Sequence, residues 1–170
     1  ADRLTIGEDY VDTNIGTGTA VARVGGVLHV NTTSQATTGT SEEVLATYTL
    51  PANTLSANGK AIRVTAWAAT AANANNKTLR IRVGGLGGTQ VTANTATSSA
   101  EPLNATVLLV RTGAATQEAI GVTTKSSSLA TTITTPTATL SGTVDIVVTG
   151  QTATSAGDLT FRCLIVEALN

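Results

Sequence analysis

Apolar and polar residues alternate along most of the chain after residue 42. In the segment 43–50, Val44, Ala46, Tyr48 and Leu50 fall on one face of an extended chain. Because successive side chains of a β-strand point to opposite faces, this period of two predicts a strand with one buried face.

The same alternation recurs in the segments 61–72 and 78–83. The residues predicted to face inward are Ile62, Val64, Ala66, Ala68, Leu79, Ile81 and Val83. Those predicted to face outward are Arg63, Thr65, Trp67, Arg80 and Arg82. The Asn-rich stretch 73–77 predicts a turn whose side chains tolerate left-handed backbone conformations. The glycines at 84, 85, 87 and 88 predict a tight reversal with positive φ angles.

Further strand patterns are separated by clusters of Gly, Ser, Asn or Pro, and they cover 89–93, 103–112, 116–125, 129–135, 141–149 and 158–168. Short strands at this spacing, with no helical periodicity between them, indicate an all-β fold. We predict a two-sheet antiparallel β-sandwich, and a count of eight or nine strands is typical of a jelly roll. An immunoglobulin-like sandwich is the alternative, but the chain has no pair of cysteines flanking a Trp.

The first 42 residues follow an irregular pattern. They contain an acidic group (Glu8, Asp9 and Asp12), a Gly- and Thr-rich stretch and one short apolar alternation at 27–30. We predict that residues 1–42 form an extended N-terminal arm and that residues 43–170 form the sandwich domain. Low hydrophobicity predicts disorder unless a partner orders the segment. An arm that docks and a terminus that packs nowhere are therefore both open.

The charge balance and the distribution of apolar residues argue against nucleic acid and membrane as partners. Ten Lys and Arg stand against eleven Asp and Glu, which gives a net charge of −1. The chain thus lacks the basic patch that phosphate neutralisation requires, and we expect no nucleic-acid partner. It also lacks a charged leader before an apolar stretch and any run of about 18 apolar residues, so we expect a soluble protein with no membrane partner.

The chain offers few groups for catalysis or metal binding, with one His, one Cys and no Met. His29 has no serine-nucleophile motif to serve, and Cys163 lies in an apolar run typical of a buried, inert thiol. Asp145 and Asp158 lack a spaced set of oxygen ligands, so we expect solvated carboxylates at strand ends. We expect no catalytic residue, no cofactor and no metal, and an enzyme is the least favoured class of function.

The candidate contact residues are Glu8, Asp9, Asp12, Arg63, Trp67, Arg80 and Arg82. Trp and Arg are enriched where interfaces concentrate their binding energy. Tyr48 and Phe161 share the phase of apolar neighbours and are predicted to be in the core. Trp67 is therefore the ring expected to be available for stacking on sugar, and a single ring makes a weak carbohydrate site.

Three segments, LATYTLPANTLSANGK, ANANNKTLRIRVGG and VRTGAATQ, resemble segments of small β-rich structural proteins of tailed bacteriophages. The resemblance covers residues 43–170 and leaves the arm uncovered. It implies a virion component of the decoration, head-fibre or tail-associated type, and it brings no catalytic residues.

From the arm, the inert loops and the resemblance we expect a capsid decoration or cement protein that binds and stabilises the shell through subunit contacts and its N-terminal arm. We expect it to be assembled into the virion in the host cytoplasm. The expected partners are the major capsid protein or another virion protein, with this chain as a homotrimer. The alternative is a tail or fibre receptor-binding module that contacts host glycan through the loops 73–77 and 84–88.

Overall fold

The computed structural model describes residues 26–97, 100–126 and 128–170, together with the strand segments 5–6, 11–14 and 21–23. The described residues contain fourteen strands and no helix, as the all-β class predicts. In chain order the strands are β1 (Thr5–Ile6), β2 (Val11–Asn14), β3 (Val21–Arg23), β4 (Gly26–Asn31), β5 (Gln35–Ala36), β6 (Glu43–Leu50), β7 (Ala61–Thr70), β8 (Lys77–Val83), β9 (Thr89–Ala96), β10 (Leu103–Gly113), β11 (Thr116–Lys125), β12 (Ser128–Thr134), β13 (Val144–Thr152) and β14 (Leu159–Ala168).

Strands β4 to β14 form two antiparallel sheets. The larger sheet has the strand order β12-β11-β10-β7-β14-β4, and β5 also pairs with β14. The smaller sheet has the order β6-β13-β8-β9. Buried side chains of both sheets form one hydrophobic cluster. The prediction of a two-sheet antiparallel sandwich is therefore confirmed.

The connectivity of the eight central strands is that of a jelly roll. Four antiparallel pairs are nested along the chain, with β8 and β9 innermost, then β7 with β10, β6 with β13, and β4 with β14 outermost. Successive pairs lie alternately in the smaller and the larger sheet. Two further strands, β11 and β12, extend the larger sheet beyond β10.

The core combines leucines with small and β-branched side chains, and Phe161 is a fully buried ring. Every residue predicted to face inward from β7 and β8 is buried. Full burial of a Val, Leu, Ile or Phe side chain contributes about 1.5–3 kcal/mol. Continuous burial along both strands therefore supplies much of the energy that holds the sheets together.

Strand β6 departs from simple alternation near its start. Val44, predicted to face the core, is 39% exposed, whereas Leu45 is buried. The ladder with β13 pairs Ala46 with Val148 and Val44 with Thr149, so that Leu45 is left without a partner. This bulge adds one residue to the strand and reverses the faces of the residues before it. The prediction for Val44 is wrong for that reason.

Part of the segment predicted as an arm joins the larger sheet. Val30 of β4 lies opposite Ile165, and Gln35 of β5 lies opposite Phe161. Strands β1, β2 and β3 pair with each other in a separate three-stranded sheet. The role of residues 1–42 as an arm stays a prediction, and β4 and β5 are the part of it that pairs with the sandwich.

The reversal after β8 uses its glycines in two ways. Gly84 and Gly85 have positive φ angles of 94° and 81°, as predicted. Gly87 and Gly88 are not among the residues with positive φ, so that part of the prediction is wrong. A Cβ at Gly88 would lie 2.1 Å from the carbonyl oxygen of Val83. Gly88 is therefore required for close approach of two backbone segments.

Strand β9 closes one side of the sandwich by packing against the larger sheet. A Cβ at Gly121 of β11 would lie 2.6 Å from Cβ of Thr92, so the absent side chain lets β9 approach. The buried Asn94 side chain donates hydrogen bonds of 2.8 Å to the carbonyl oxygens of both Asn104 and Thr124. These contacts bind the edge of the smaller sheet to β10 and β11.

Candidate interaction surface

A row of β-branched side chains crosses the outer face of the larger sheet. The strand registers place Thr131 opposite Val122, Val122 opposite Thr106, Thr106 opposite Thr65, Thr65 opposite Ile165 and Ile165 opposite Val30. We call these six residues the β-branched row. Six strands at the usual spacing span about 24 Å, and no residue of the row is charged.

A second row lies beside the first and is apolar at one end. Ile133 is opposite Ile120, and Ile120 is opposite Leu108. Ile133 and Ile120 are 66% and 38% exposed. The row continues through Arg63 and Glu167, whose side chains approach to 3.7 Å between Nη1 and Oε2. An exposed pair at this distance adds little stability, so both charges can take part in another contact.

Trp67 lies at one end of the same face. Its side chain is 37% exposed and borders a shallow depression of about 290 Å³ that is also lined by Ala69, Pro102 and Arg162. Trp67 pairs with Cys163, which is buried as predicted. Burial raises the pKa of the Cys163 thiol and keeps it in its unreactive form. The depression can hold a flat apolar group beside a cation.

The outer face of the smaller sheet has a different character, because it is crossed by an ionic cluster centred on Glu42. Arg82 donates to both carboxylate oxygens of Glu42, at 2.7 and 2.9 Å. Arg80 Nη1 lies 3.7 Å from Glu42 Oε2. The Thr149 hydroxyl donates a hydrogen bond to Glu42 Oε1. The hydrogen bond from Arg82 holds the pKa of the Glu42 carboxyl below its ordinary value, although burial opposes the shift.

The structure divides the candidate contact residues between opposite sides of the sandwich. Arg63 and Trp67 share the outer face of the larger sheet, whereas Arg80 and Arg82 are held by Glu42 on the smaller one. Asp12 lies in β2, paired with Thr5 and Arg23. Glu8 and Asp9 lie outside the described residues. These residues therefore do not form one site, and their role in contact stays a prediction.

Asp158 is not the solvated carboxylate that the sequence predicts. It is buried and accepts hydrogen bonds from Asn75 at 2.7 Å and from Asn73 at 2.8 Å. These bonds lower the pKa of Asp158. The turn asparagines thus use their side chains as hydrogen-bond donors. None of the residues 73–77 has the left-handed backbone that asparagine tolerates, because Asn53 is the non-glycine residue with a positive φ angle among the described residues. The buried Lys77 donates to the carbonyl oxygen of Asn73 and completes the network.

His29 and Asp145, which the sequence analysis considered for catalysis and metal binding, each contact a neighbouring side chain. The His29 ring stacks on Tyr48, with ring centroids 4.9 Å apart, where the edge strands of the two sheets meet. Asp145 is exposed, and one of its carboxylate oxygens accepts a hydrogen bond of 2.7 Å from Thr49. Among the described residues there is no group of three His, Cys, Asp or Glu placed to hold a metal ion. The same part of the chain has no helix long and apolar enough to cross a membrane.

Sequence reasoning missed both the β-branched row and the central position of Glu42. The row draws one residue from each of six strands, so no local pattern marks it. Glu42 is 40 positions from Arg82 and 107 from Thr149 in the sequence. The sequence pattern indicated only that Thr65 faces outward. It could not indicate which residues of other strands lie beside Thr65 in the row.

No family model matches the chain, and no curated protein matches it. Among solved structures, the CBM2 module of the evolved Dit of Lactobacillus casei BL23 phage J-1 is similar with a TM-score of 0.39 and 10% identity, over 73% of this chain and 69% of that one. The infectious bursal disease virus Gt strain gives a TM-score of 0.35 and 17% identity, over 92% of this chain and 37% of that one.

The VP2 subviral particle of infectious bursal disease virus gives a TM-score of 0.34 and 13% identity, over 98% of this chain and 41% of that one. This chain therefore spans about two fifths of the length of the two bursal disease virus chains. At TM-scores below 0.5, these similarities carry no argument about function.

Proposed function

We propose that the chain is a virion structural protein, and specifically a capsid decoration or cement protein that binds the shell through the outer face of its larger sheet. The observation that carries this proposal is the β-branched row, an uncharged strip across six strands with exposed Ile120 and Ile133 beside it. The sequence resemblance to phage structural proteins supports the same class. The major capsid protein is the proposed partner.

The β-branched row is an uncharged strip, and a strip of this kind suits contact with another protein surface. Burial of apolar area contributes about 25 cal/mol per Å², and β-branched side chains lose little conformational freedom when they are covered. On a symmetric shell the same modest contact is repeated at every site. Because the β-branched row itself carries no charge, we expect binding through the row to depend weakly on ionic strength.

A matched pair of variants tests the proposal with purified shells that lack this chain. Ile120→Asp places a charge on the outer face of the larger sheet, whereas Thr47→Asp places one at an exposed position on β6 of the smaller sheet. We expect Ile120→Asp to weaken co-sedimentation with shells by at least about tenfold, because its charge would be buried without a partner. Thr47→Asp should bind as the unsubstituted chain does. Equal binding by both variants would refute this surface.

The stoichiometry of the virion distinguishes decoration from other virion roles. Quantitative mass spectrometry of purified particles gives the copy number of this chain relative to the major shell protein. A ratio near one, or a simple fraction such as one third, is the expected result. A few copies per particle would contradict decoration and favour the tail or a fibre.

The depression at Trp67 favours a second candidate function, a receptor-binding module of a tail or fibre that contacts host glycan. An exposed indole beside Arg162 can stack on the apolar face of a sugar while the guanidinium binds its hydroxyl groups. A glycan array compares the chain with Trp67→Ala. Signals that disappear in Trp67→Ala would support this function, and an array without signals would count against it.

A further inference from the structure

We infer that β12 is the contact through which two copies of this chain associate, by antiparallel pairing of their β12 strands about a two-fold axis at Thr131. The inference does not depend on the proposed binding to a shell. It rests on the exposure of β12, on the regularity of its free edge and on the symmetry of its sequence.

Strand β12 is exposed on both of its faces. Six of its seven residues are exposed, from Ser128 to Ile133, and Thr134 is partly buried. Leu129 and Ile133 are 69% and 66% exposed, the highest values among the large hydrophobic residues that the structure describes. A monomer in water gains nothing from these two side chains, whereas a second strand would cover both.

The free edge of β12 lacks the features that usually protect an edge strand. Seven consecutive residues pair with β11 without a bulge, and among the described residues no strand pairs with the other side of β12. The stretch 126–135 contains no charged residue and no Pro. Charges, prolines and bulges are the common means by which proteins block uncontrolled pairing at a sheet edge. Their absence indicates an edge that is covered in the assembled protein.

The other edges of the two sheets are interrupted or covered. The ladder between β4 and β14 shifts register between Val166 and Glu167, and β6 has its bulge at Leu45. Strand β9 is bound to the larger sheet through Asn94, and Lys125 of β11 donates to the Thr95 carbonyl oxygen of β9. Strand β12 therefore stands apart as the regular open edge of the described sandwich.

The backbone groups of β12 are oriented for such pairing. Lys125 and Ser128 are partners across a two-residue connection, so they form the hydrogen-bonded pair that closes the hairpin. Bonding direction alternates along an antiparallel strand. The N–H and C=O groups of Leu129, Thr131 and Ile133 therefore point away from β11, toward the free edge.

The two large apolar residues of β12 are placed symmetrically about Thr131. With the two-fold axis at Thr131, Leu129 of one copy lies opposite Ile133 of the other, and Ala130 lies opposite Thr132. A shift of two residues would instead place Leu129 opposite Thr131 or Thr135, and a shift of one would put the two apolar residues on opposite faces. Because the strand is uncharged, two copies meet without repulsion. These properties identify a second copy as the occupant, rather than a strand of unrelated sequence.

In this arrangement the outer faces of two larger sheets become continuous. Ile133, which already lies opposite Ile120 within its own copy, gains Leu129 of the second copy as its other neighbour. A strand pair alone is small compared with a standard interface, which buries about 1,600 Å² in total. We therefore expect an association that depends on protein concentration and that a covalent link can trap.

Cysteine cross-linking of the purified chain, without shells, tests both the contact and its register. Paired residues at the axis have Cα atoms about 5.5 Å apart, within the range of a disulfide. Thr131→Cys should therefore give a linked dimer on oxidation. Leu129→Cys alone and Ile133→Cys alone should give no linked dimer, because the Cα atom of each lies about 14 Å from the Cα atom of the same residue in the second copy. A mixture of these two variants should give the linked dimer. The native Cys163 is buried and common to all samples.

Two further variants separate pairing from folding. Thr131→Pro removes an N–H from the free edge and leaves the ladder with β11 intact, while Thr124→Cys places a thiol on β11 away from the edge. In sedimentation velocity we expect dimers of the unsubstituted chain that depend on protein concentration. Thr131→Pro should be monomeric and should keep an unchanged circular dichroism spectrum. Thr124→Cys should give no linked dimer on oxidation. A monomeric unsubstituted chain, or linkage of Leu129→Cys alone as efficient as that of Thr131→Cys, would overturn the inference.

Discussion

Arg82 donates two hydrogen bonds to Glu42, from Nε to Oε1 at 2.7 Å and from Nη2 to Oε2 at 2.9 Å. Glu42 immediately precedes β6, and Arg82 lies in β8, two strands away across β13. Thr149 of β13 donates to the same carboxylate. One carboxylate therefore connects three neighbouring strands of the smaller sheet on its outer face.

Removal of this carboxylate should destabilise the fold. Loss of one partner from a buried ion pair costs about 3–5 kcal/mol, and exposed pairs contribute about 1 kcal/mol or less. The Glu42 and Arg82 side chains are 19% and 18% exposed, so we expect Glu42→Ala to lower the free energy of unfolding by about 2 kcal/mol. Urea denaturation measures the change. The exposed Glu118→Ala is the control and should change stability by less than about 0.5 kcal/mol. Equal effects of the two variants would show that the cluster contributes nothing particular.

Stability should fall with acid in a way that depends on Glu42. The hydrogen bond from Arg82 lowers the pKa of Glu42 from its ordinary 4.5, which means that the folded state favours the ionised carboxyl. This contribution is complete above the unfolded pKa and is lost as the pH falls through the lower, folded pKa. Between about pH 5.5 and pH 3, the unfolding midpoint of Glu42→Gln in urea should therefore fall less steeply than that of the unsubstituted chain. Parallel pH profiles would contradict this assignment.

Two adjacent glycines should respond differently to the same substitution. A Cβ at Gly88 would lie 2.1 Å from the Val83 carbonyl oxygen and 2.6 Å from the Gly84 carbonyl carbon, both backbone atoms that cannot move aside cheaply. A Cβ at Gly87 would meet nothing within 4 Å. We expect Gly88→Ala to destabilise the chain by about 1–3 kcal/mol and Gly87→Ala to be neutral or slightly stabilising. Thermal unfolding compares them, and a similar melting temperature for both would be inconsistent with this turn.

The strands were predictable because their signal is local. In β7 and β8 the side chains alternate in type, and alternation alone identifies Ile62 and Ile81 as inward and Arg63 as outward. The bulge at Leu45 was not predictable, because the extra residue is defined by its partner strand β13, about one hundred positions away in the sequence. Alternation finds a strand and its faces, but not an interruption that only a neighbouring strand defines.

The candidate surface was predictable only in part. Trp67 and Arg63 were found because their outward phase is visible within β7. The β-branched row was not found, since it depends on the order and register of six strands. The expectation that Asp158 is solvated failed for a related reason, because its partners Asn73 and Asn75 lie more than eighty positions earlier. Properties of a surface arise from the pairing of distant segments.

The Asn94 side chain should be one of the most sensitive polar positions of the fold. It is 5% exposed and donates to the carbonyl oxygens of Asn104 and Thr124, at 2.8 Å in each case. In Asn94→Ala both bonds are lost, and a buried polar group left unsatisfied costs about 1–3 kcal/mol.

Asn94→Asp keeps the shape of the side chain but replaces its two donors with an acceptor that faces two other acceptors. We therefore expect Asn94→Asp to destabilise the chain more than Asn94→Ala at pH 7. Denaturant unfolding of the two variants, with the exposed Thr124→Ala as control, measures the difference. If Asn94→Asp were as stable as the unsubstituted chain, the amide could not be the group that binds β9 to the larger sheet.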